Sequence, residues 1–199
     1  MKIGMILDSS YPDDARITNE CAELIKKKHE IHLFCLSFKK PFVKNEIINQ
    51  INVHRYHCSK LTYKLSALAN DISLYGNILK NKLVDFIKKS EVEILHIHDI
   101  QIAKAAISVS ERVGIKYNID LHENRPEIMK YYKHVNSFLG KIFISPNRWK
   151  KAEESFVEKA NKIVVVTENA KQELLGRVKI DQEKIIVYPN TVRLSLIHI

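Results

Sequence analysis

The sequence predicts an α/β fold with an open parallel sheet and helices on both faces, and three observations support this prediction. Short apolar runs with the length of buried strands alternate with segments whose apolar residues recur at helical spacing. No internal repeat or low-complexity linker interrupts the alternation. The 199 residues, 45% hydrophobic and 28% charged, are enough for one domain with a substantial core. Strand–helix alternation of this kind is typical of a parallel sheet covered on both sides.

Short apolar segments are predicted to be the strands of this sheet. The first ends at Asp8 and is followed by the turn-rich segment 8–14, which marks the end of a buried strand. The predicted strands cover 2–7, 31–36, 51–56, 92–98, 116–121, 162–167 and 184–188.

The segments between these strands are predicted to be helices. A first helix begins near Asp14, because acidic side chains suit the positive end of a helix. Gly114 fits the end of a helix, and Pro126 fits the first turn of another. The remaining predicted helices cover 61–89, with a break near Gly76, 100–113, 148–160 and 169–175.

Several classes of protein are disfavoured by composition. No apolar run approaches the roughly 20 residues of a membrane span. The apolar run after Met1 is too short for the core of a signal peptide. Three widely spaced cysteines, Cys21, Cys35 and Cys58, argue against a disulfide framework or a structural zinc site. These patterns favour a cytoplasmic location.

The formal charge of +9 is concentrated in one segment. From Ile128 to Ala152 there is no acidic residue, and aromatic residues are interleaved with the basic ones. This pattern suits an anionic membrane surface or a phosphorylated ligand, and the alternative is a solvated lysine-rich face. Nucleic acid is a weaker candidate because no nucleic-acid-binding motif accompanies the charge. The basic residues are Lys130, Lys133, Lys141, Arg148, Lys150 and Lys151.

Ligands of an open parallel sheet bind beyond the carboxyl ends of its strands, near the point where strand order reverses. In the usual order the first, fourth and fifth predicted strands are neighbours, so the polar residues that follow them should converge on one rim. These residues are Asp8, Ser9 and Ser10, then His98 and Asp99, then His122 and Glu123.

His122 is the strongest candidate among them, because histidine suits acid–base work near neutral pH and is a poor helix cap. Asp99 precedes a predicted helix, so capping that helix is an equally good interpretation. His96 lies inside its strand and is predicted to be a hydrogen-bonded core residue. His96 and His98 share one strand face, and with Asp99 or His122 they would form a possible set of metal ligands. The expected burial of His96 and the absence of a nearby cysteine argue against metal binding.

Three common motifs are absent. Gly4 is the only glycine before Gly76, so no GxGxxG follows the first strand. GxxxxGK[ST] and GxSxG are missing too. Binding of NAD, FAD or a nucleotide through a P-loop is therefore disfavoured, as is a serine nucleophile on an elbow.

Five segments in order carry a family resemblance. They lie at 14–33, at 94–99, at 120–123 with the Pro126-Glu127 pair, at 158–168 and at 184–190. Over roughly residues 1–192 the sequence resembles the N-terminal domain of a family-four glycosyltransferase of the GT-B architecture, a Rossmann-like half of such an enzyme. Each motif is loose alone, but five in the right order are fairly specific.

The resemblance implies transfer of a sugar from a nucleotide-sugar donor to a glycan or lipid-linked acceptor. Such transfer usually proceeds with retention and without a metal or another cofactor. The N-terminal half mainly binds the acceptor, and the C-terminal half holds the donor through a Glu-x7-Glu motif. No two glutamates of this sequence have that spacing. We therefore expect one acceptor-side domain over 1–192, no donor-binding domain, and a truncated or foreign tail over 193–199.

The sequence departs from the family pattern at three places. A segment beginning Ser9-Ser10 replaces a glycine-rich loop, Lys28 replaces the glycine before His29-Glu30, and Thr191 replaces the glycine after Pro189-Asn190.

The resemblance also implies roles for individual residues. His122 is expected in the catalytic site, and Arg16 is expected to bind a phosphate or an acceptor carboxylate unless it pairs with Asp14 or Glu20. Acceptor hydroxyls are expected to bind His98, Asp99 and Glu123. The donor-proximal residues are expected to be Ser9, Ser10, Thr167 and Glu168, with helix capping as the alternative for the last two.

Segment 128–152 is expected to contact the inner face of an anionic membrane. Two other functions fit the same topology. One is half of a nucleotide-sugar 2-epimerase, and the other is a non-catalytic binding module.

Overall fold

The centre of the fold is a single sheet of eight strands in the computed structural model, which describes residues 1–70, 74–136 and 144–189. The strand order is β3-β4-β2-β1-β5-β6-β7-β8, and every neighbouring pair is parallel except β3 and β4. The predicted fold class is confirmed. The strands are β1 (Lys2–Ile6), β2 (Glu30–Ser37), β3 (Asn45–Ile48), β4 (Ile51–His57), β5 (Ile94–His98), β6 (Lys116–Leu121), β7 (Lys162–Val165) and β8 (Ile185–Val187).

Helices connect the parallel strands. The predicted helical region over 61–89 is divided: one helix ends at Lys64 and the next begins at Leu74, two residues before Gly76. Two short 3₁₀ turns occur at Leu65–Leu68 and Gln182–Lys184. The helices are α1 (Ala15–Lys26), α2 (Lys60–Lys64), α3 (Leu74–Ser90), α4 (Ile100–Val113), α5 (Arg125–Met129), α6 (Lys133–Asn136), α7 (Pro146–Lys159) and α8 (Glu168–Arg177).

Side chains of β1 alternate between two apolar clusters, one on each face of the sheet. Ile3 and Met5 pack in the cluster that contains Ile17 of α1, and Ile6 packs in the cluster that contains α3 and α4. A Cβ on Gly4 would lie 2.9 Å from Leu95 Cδ2, so only glycine fits here without movement of its neighbours. Each large apolar side chain buried in this way contributes about 1.5–3 kcal/mol.

The helix ends agree with the signals in the sequence. Asp14 caps α1, because its Oδ1 accepts a hydrogen bond of 3.0 Å from the backbone N–H of Arg16. Gly114 ends α4 with a φ of 75°, a left-handed conformation that glycine adopts without strain. Pro126 lies in the first turn of α5. All three of these predictions are confirmed.

The three cysteines are free and buried. In the described part of the chain, no helix combines the length and the apolar character that crossing a bilayer requires. The expected tail over 193–199 and part of the basic segment, 137–143, lie outside the described residues.

Candidate active site

The ends of β1, β5 and β6 form one rim, because these three strands are neighbours in the sheet. This order confirms the expected adjacency of the first, fourth and fifth predicted strands. A cleft at the rim is lined by residues 99–101, by residues 120–123 and by Arg125. The predicted convergence of polar residues from distant parts of the chain therefore occurs.

His122 lies at this rim between two carboxylates. Its Nε2 is 3.2 Å from Oδ1 of Asp99, and its Nδ1 is 3.6 Å from Oδ2 of Asp120. Burial opposes a charge on the ring, but contact with Asp120 and Asp99 raises the pKa of His122 to about 9. The side chain is therefore an imidazolium at neutral pH, which makes it a poor general base and a good electrostatic group.

Asp99 reaches His122 from an unusual backbone conformation. Its φ is 71°, and its side chain makes no hydrogen bond to the start of α4. The capping interpretation is therefore not realised. Conformations of this kind cost about 1–3 kcal/mol in non-glycine residues and occur often at functional sites. Burial would raise the pKa of Asp99, but the contact with His122 lowers it below its ordinary value.

Asp120 links His122 to the interior. Its Oδ2 accepts a hydrogen bond of 3.0 Å from Nδ1 of His98. Burial alone would raise the pKa of Asp120, but His122 and His98 hold it well below its ordinary value. Sequence reasoning missed this residue as a site residue. The signal was available, since Asp120 and His122 are two apart on β6 and share one face.

His98 is fully buried, so the structure places it beneath the rim. His96, two residues earlier on the same strand face, is also buried, as predicted. Its Nε2 lies 3.0 Å from Oε1 of Glu20, although the two groups are not aligned as a hydrogen bond. Glu20 comes from α1 and was not among the predicted site residues, because nothing in the sequence shows that α1 contacts β5.

Arg16 pairs with Asp14, which is the alternative that the sequence left open. Its Nε and Nη2 lie 3.1 and 2.6 Å from the two oxygens of that carboxylate. Burial disfavours the charge, but Asp14, and after it Asp99 and Asp120, raise the pKa of Arg16. The guanidinium is therefore held charged among carboxylates, and it is one-third exposed.

Asp8 follows β1 and is buried at the same end of the sheet. The hydroxyl of Tyr75 donates a hydrogen bond to its Oδ1, and its Oδ2 has no hydrogen-bond partner among the described residues. Burial raises the pKa of Asp8 well above its ordinary value. This carboxyl group therefore favours its neutral, protonated form.

The other predicted residues lie at the edges of this arrangement. Glu123 is exposed and pairs with Arg125 at 3.1 Å. Ser9 and Ser10 are half-buried after β1, where the Ser10 hydroxyl donates to Asp13 at 2.9 Å. Thr167 caps α8 by accepting a hydrogen bond of 3.1 Å from Ala170, and the adjacent Glu168 is exposed. Roles of these residues toward a donor or acceptor stay predictions.

The chain has the same fold as several solved structures that are distant from it in sequence. Sucrose-phosphate synthase from Thermosynechococcus elongatus matches 98% of this chain and 49% of its own, with a TM-score of 0.71 and 12% identity. An E. coli structure described as trehalose-6-phosphate bound with UDP-2-fluoro glucose covers 97% of this chain with 49% of its own length. Its TM-score is 0.63 and its sequence identity is 14%. The lipopolysaccharide outer core galactosyltransferase WaaB covers 99% of this chain with 48% of its own length. Its TM-score is 0.59 and its sequence identity is 15%.

These matches show the fold, a Rossmann-like domain of the kind that makes up about half of each matched structure. The chain spans about half the length of the structures it matches. No curated protein matches the sequence significantly. The chain belongs to Glycosyltransferase Family 4, whose sequence model matches residues 15–196.

Proposed function

We propose that the protein carrying this chain transfers a sugar from a nucleotide-sugar donor to a glycan or lipid-linked acceptor, and that this chain forms the acceptor side of the site. The observation that carries the proposal is the position of His122 between the carboxylates of Asp99 and Asp120 at the rim of a Family 4 domain. The family match does not favour the 2-epimerase or the non-catalytic module.

The chemistry of glycosyl transfer fits these groups. The bond from the anomeric carbon to the diphosphate oxygen breaks, a bond to the acceptor oxygen forms, and the departing diphosphate takes the proton that the acceptor hydroxyl loses. The departing diphosphate gains negative charge, which the positive charges of His122 and Arg16 stabilise. Asp99 and Glu123 keep exposed oxygens that can accept hydrogen bonds from sugar hydroxyls.

The proposal extends to stereochemistry and to the donor. We assign retention at the anomeric carbon, with no cofactor and no metal bound to the diphosphate, on the strength of the family resemblance and of the cationic groups at the rim. Ser9, Ser10, Thr167 and Glu168 follow strands that end at the same edge of the sheet. This placement supports a donor-proximal role beside a second, donor-binding half.

The acceptor side is proposed to contact an anionic membrane at its inner face through part of segment 128–152. Tyr131 is 83% exposed beside exposed lysines, which supports this contact. Trp149 of this segment is 1% exposed and packs in the core, so it takes no part in the proposed contact. Lys130 and Lys150 lie near Glu127, so part of the positive charge is neutralised.

The experiment compares sugar transfer by the wild-type protein with transfer by a His122→Ala variant. We expect kcat to fall by about 100-fold or more, as it does when one group that stabilises developing negative charge is removed. His29→Ala is the matched control, because His29 directly precedes β2 and so lies at the amino ends of the parallel strands, away from the rim. Transfer at the wild-type rate by His122→Ala would contradict the proposed role. Failure of the wild-type protein to transfer from any nucleotide sugar would contradict the function.

A further inference from the structure

A second group of titratable side chains lies behind the rim, between α1 and β5. One donor atom from each of Glu20, His96, His98 and Asp120 lies within 4.8 Å of every other. His96 Nε2 is 3.0 Å from one oxygen of Glu20, and His98 Nε2 is 3.8 Å from the other. Two imidazoles and a carboxylate therefore face one point from two different elements.

The two imidazole nitrogens that face this point are buried without a partner. His96 and His98 are 6% and 0% exposed. Their Nε2 atoms have no hydrogen-bond partner among the described residues. Buried polar atoms are normally hydrogen-bonded, so two orphaned ring nitrogens beside one carboxylate require an explanation.

Asp120 orients one of these rings. Its carboxylate accepts a hydrogen bond of 3.0 Å from Nδ1 of His98, which places the proton of the neutral ring on Nδ1 and leaves the lone pair on Nε2. A histidine that donates one ring N–H to a carboxylate and offers the other nitrogen is the usual arrangement behind a metal ligand. Asp120 therefore acts as an orienting group and not as a further ligand.

We propose that Glu20, His96 and His98 bind a divalent first-row transition metal of the Zn²⁺ type. Ligands about 2.1 Å from a tetrahedral ion lie about 3.4 Å apart. The observed separations of 3.0 and 3.8 Å lie on either side of that value. Two imidazoles with one carboxylate are a known zinc ligand set. The cation also compensates the negative charge of the half-buried Glu20 and the buried Asp120.

This ion has a structural role that is separate from sugar transfer. It joins α1 to β5 and fixes His98, and through His98 it fixes the carboxylate of Asp120 beside His122. Asp120 separates it from the rim, so it does not touch the donor. The proposal stands independently of the proposed function, because metal content is measured without an activity assay.

The test loads the chelator-treated full chain with Zn²⁺ or Co²⁺ and measures metal content by mass spectrometry and the visible absorption of bound Co²⁺. We expect one ion per chain, and a rise in the thermal midpoint on loading. Glu20→Gln and His96→Ala should weaken binding by at least about 10-fold, and Asp120→Asn by about 10–100-fold. His54→Ala is the matched control, since His54 and His32 form a histidine pair elsewhere in the sheet.

Glu20→Gln carries the most weight, because it keeps the size of the side chain, and circular dichroism verifies its fold. Two results would overturn the site. One is a wild-type chain that binds no ion at micromolar Zn²⁺. The other is binding that Glu20→Gln and His96→Ala leave unchanged while His54→Ala removes it.

Discussion

The charge of His122 depends on its two carboxylate neighbours. A histidine that is largely buried would ordinarily be neutral, because burial disfavours the charged ring. Asp99 and Asp120 reverse this preference, at 3.2 and 3.6 Å from its two nitrogens. His122 therefore carries its positive charge between two carboxylates, and Asp99 remains ionised beside it.

Removing one of these neighbours should lower the pKa of His122. We expect the wild-type ring to titrate near pH 9 and Asp99→Asn to bring the pKa down by about one pH unit, since Asp120 still acts on the ring. The pH dependence of the His122 ring-proton NMR signals measures this change. Asp13→Asn serves as a control at an aspartate that pairs with Ser10. A wild-type pKa near 6.5 would refute the arrangement.

Part of this site could be predicted from the sequence. His122 and Asp99 are at predicted strand ends, where the general rule for parallel sheets places ligands. The contact between Asp99 and His122 could not be predicted. A residue that directly precedes α4 can either cap the helix or turn away from it, and only the backbone conformation decides between the two. Glu20 could not be predicted either, because its role depends on how α1 packs against β5.

Among the elements, α1 shows how a helix end explains a departure from the family pattern. Its last carbonyls accept hydrogen bonds from two backbone N–H groups, Lys28 to Ile25 at 2.8 Å and His29 to Leu24 at 3.1 Å. These bonds form a Schellman motif, which places the residue after the cap in the left-handed region. Lys28 occupies that position with a φ of 64°, where the family usually has glycine.

Lys28→Gly should therefore stabilise the chain. Glycine adopts a positive φ without strain, and we expect the free energy of unfolding to rise by up to about 1 kcal/mol. Urea denaturation measures the effect. Lys26→Gly is the matched control inside the last turn, where glycine should cost about 0.5–1 kcal/mol. If both substitutions destabilise the chain equally, the left-handed strain at Lys28 is not significant.

Strand β3 shows where local signals fail. It covers only Asn45–Ile48 and pairs antiparallel with β4 at the edge of the sheet. The hairpin between them is formed by Asn49 and Gln50, with φ values of 50° and 65°. A two-residue turn of this type is usually signalled by glycine in its second position, and glutamine gives no such signal. The other seven strands were all predicted.

At the scale of the whole molecule, the sheet brings the ends of three strands and the face of α1 together around a few buried charges. The alternation of short apolar runs with helical segments predicts this sheet, because a strand needs only local periodicity to be recognised. The pKa values of the buried groups depend on distances between residues of different segments, such as His122 and Asp99, and no single segment determines these distances. Global stability should therefore respond to pH in a way that composition does not predict.

Stability should decrease as pH rises from about 6.5 to about 9. The folded chain binds the His122 proton more tightly than the unfolded chain, so this stabilisation is complete below about pH 6.5 and disappears as pH passes about 9. The pKa difference corresponds to about 3 kcal/mol. Asp99 and Asp120 act in the opposite direction. Their lowered pKa values add stability above about pH 4, and that stability is lost in acid.

Urea denaturation of the wild type and of His122→Gln at about pH 6 and about pH 10 isolates the contribution of His122. The wild type should lose about 3 kcal/mol more than the variant between these two pH values, because other groups, the buried thiols included, contribute equally to both. Equal losses in the two proteins would show that His122 is neutral in the folded chain. The electrostatic role assigned to it in sugar transfer would then fail with it.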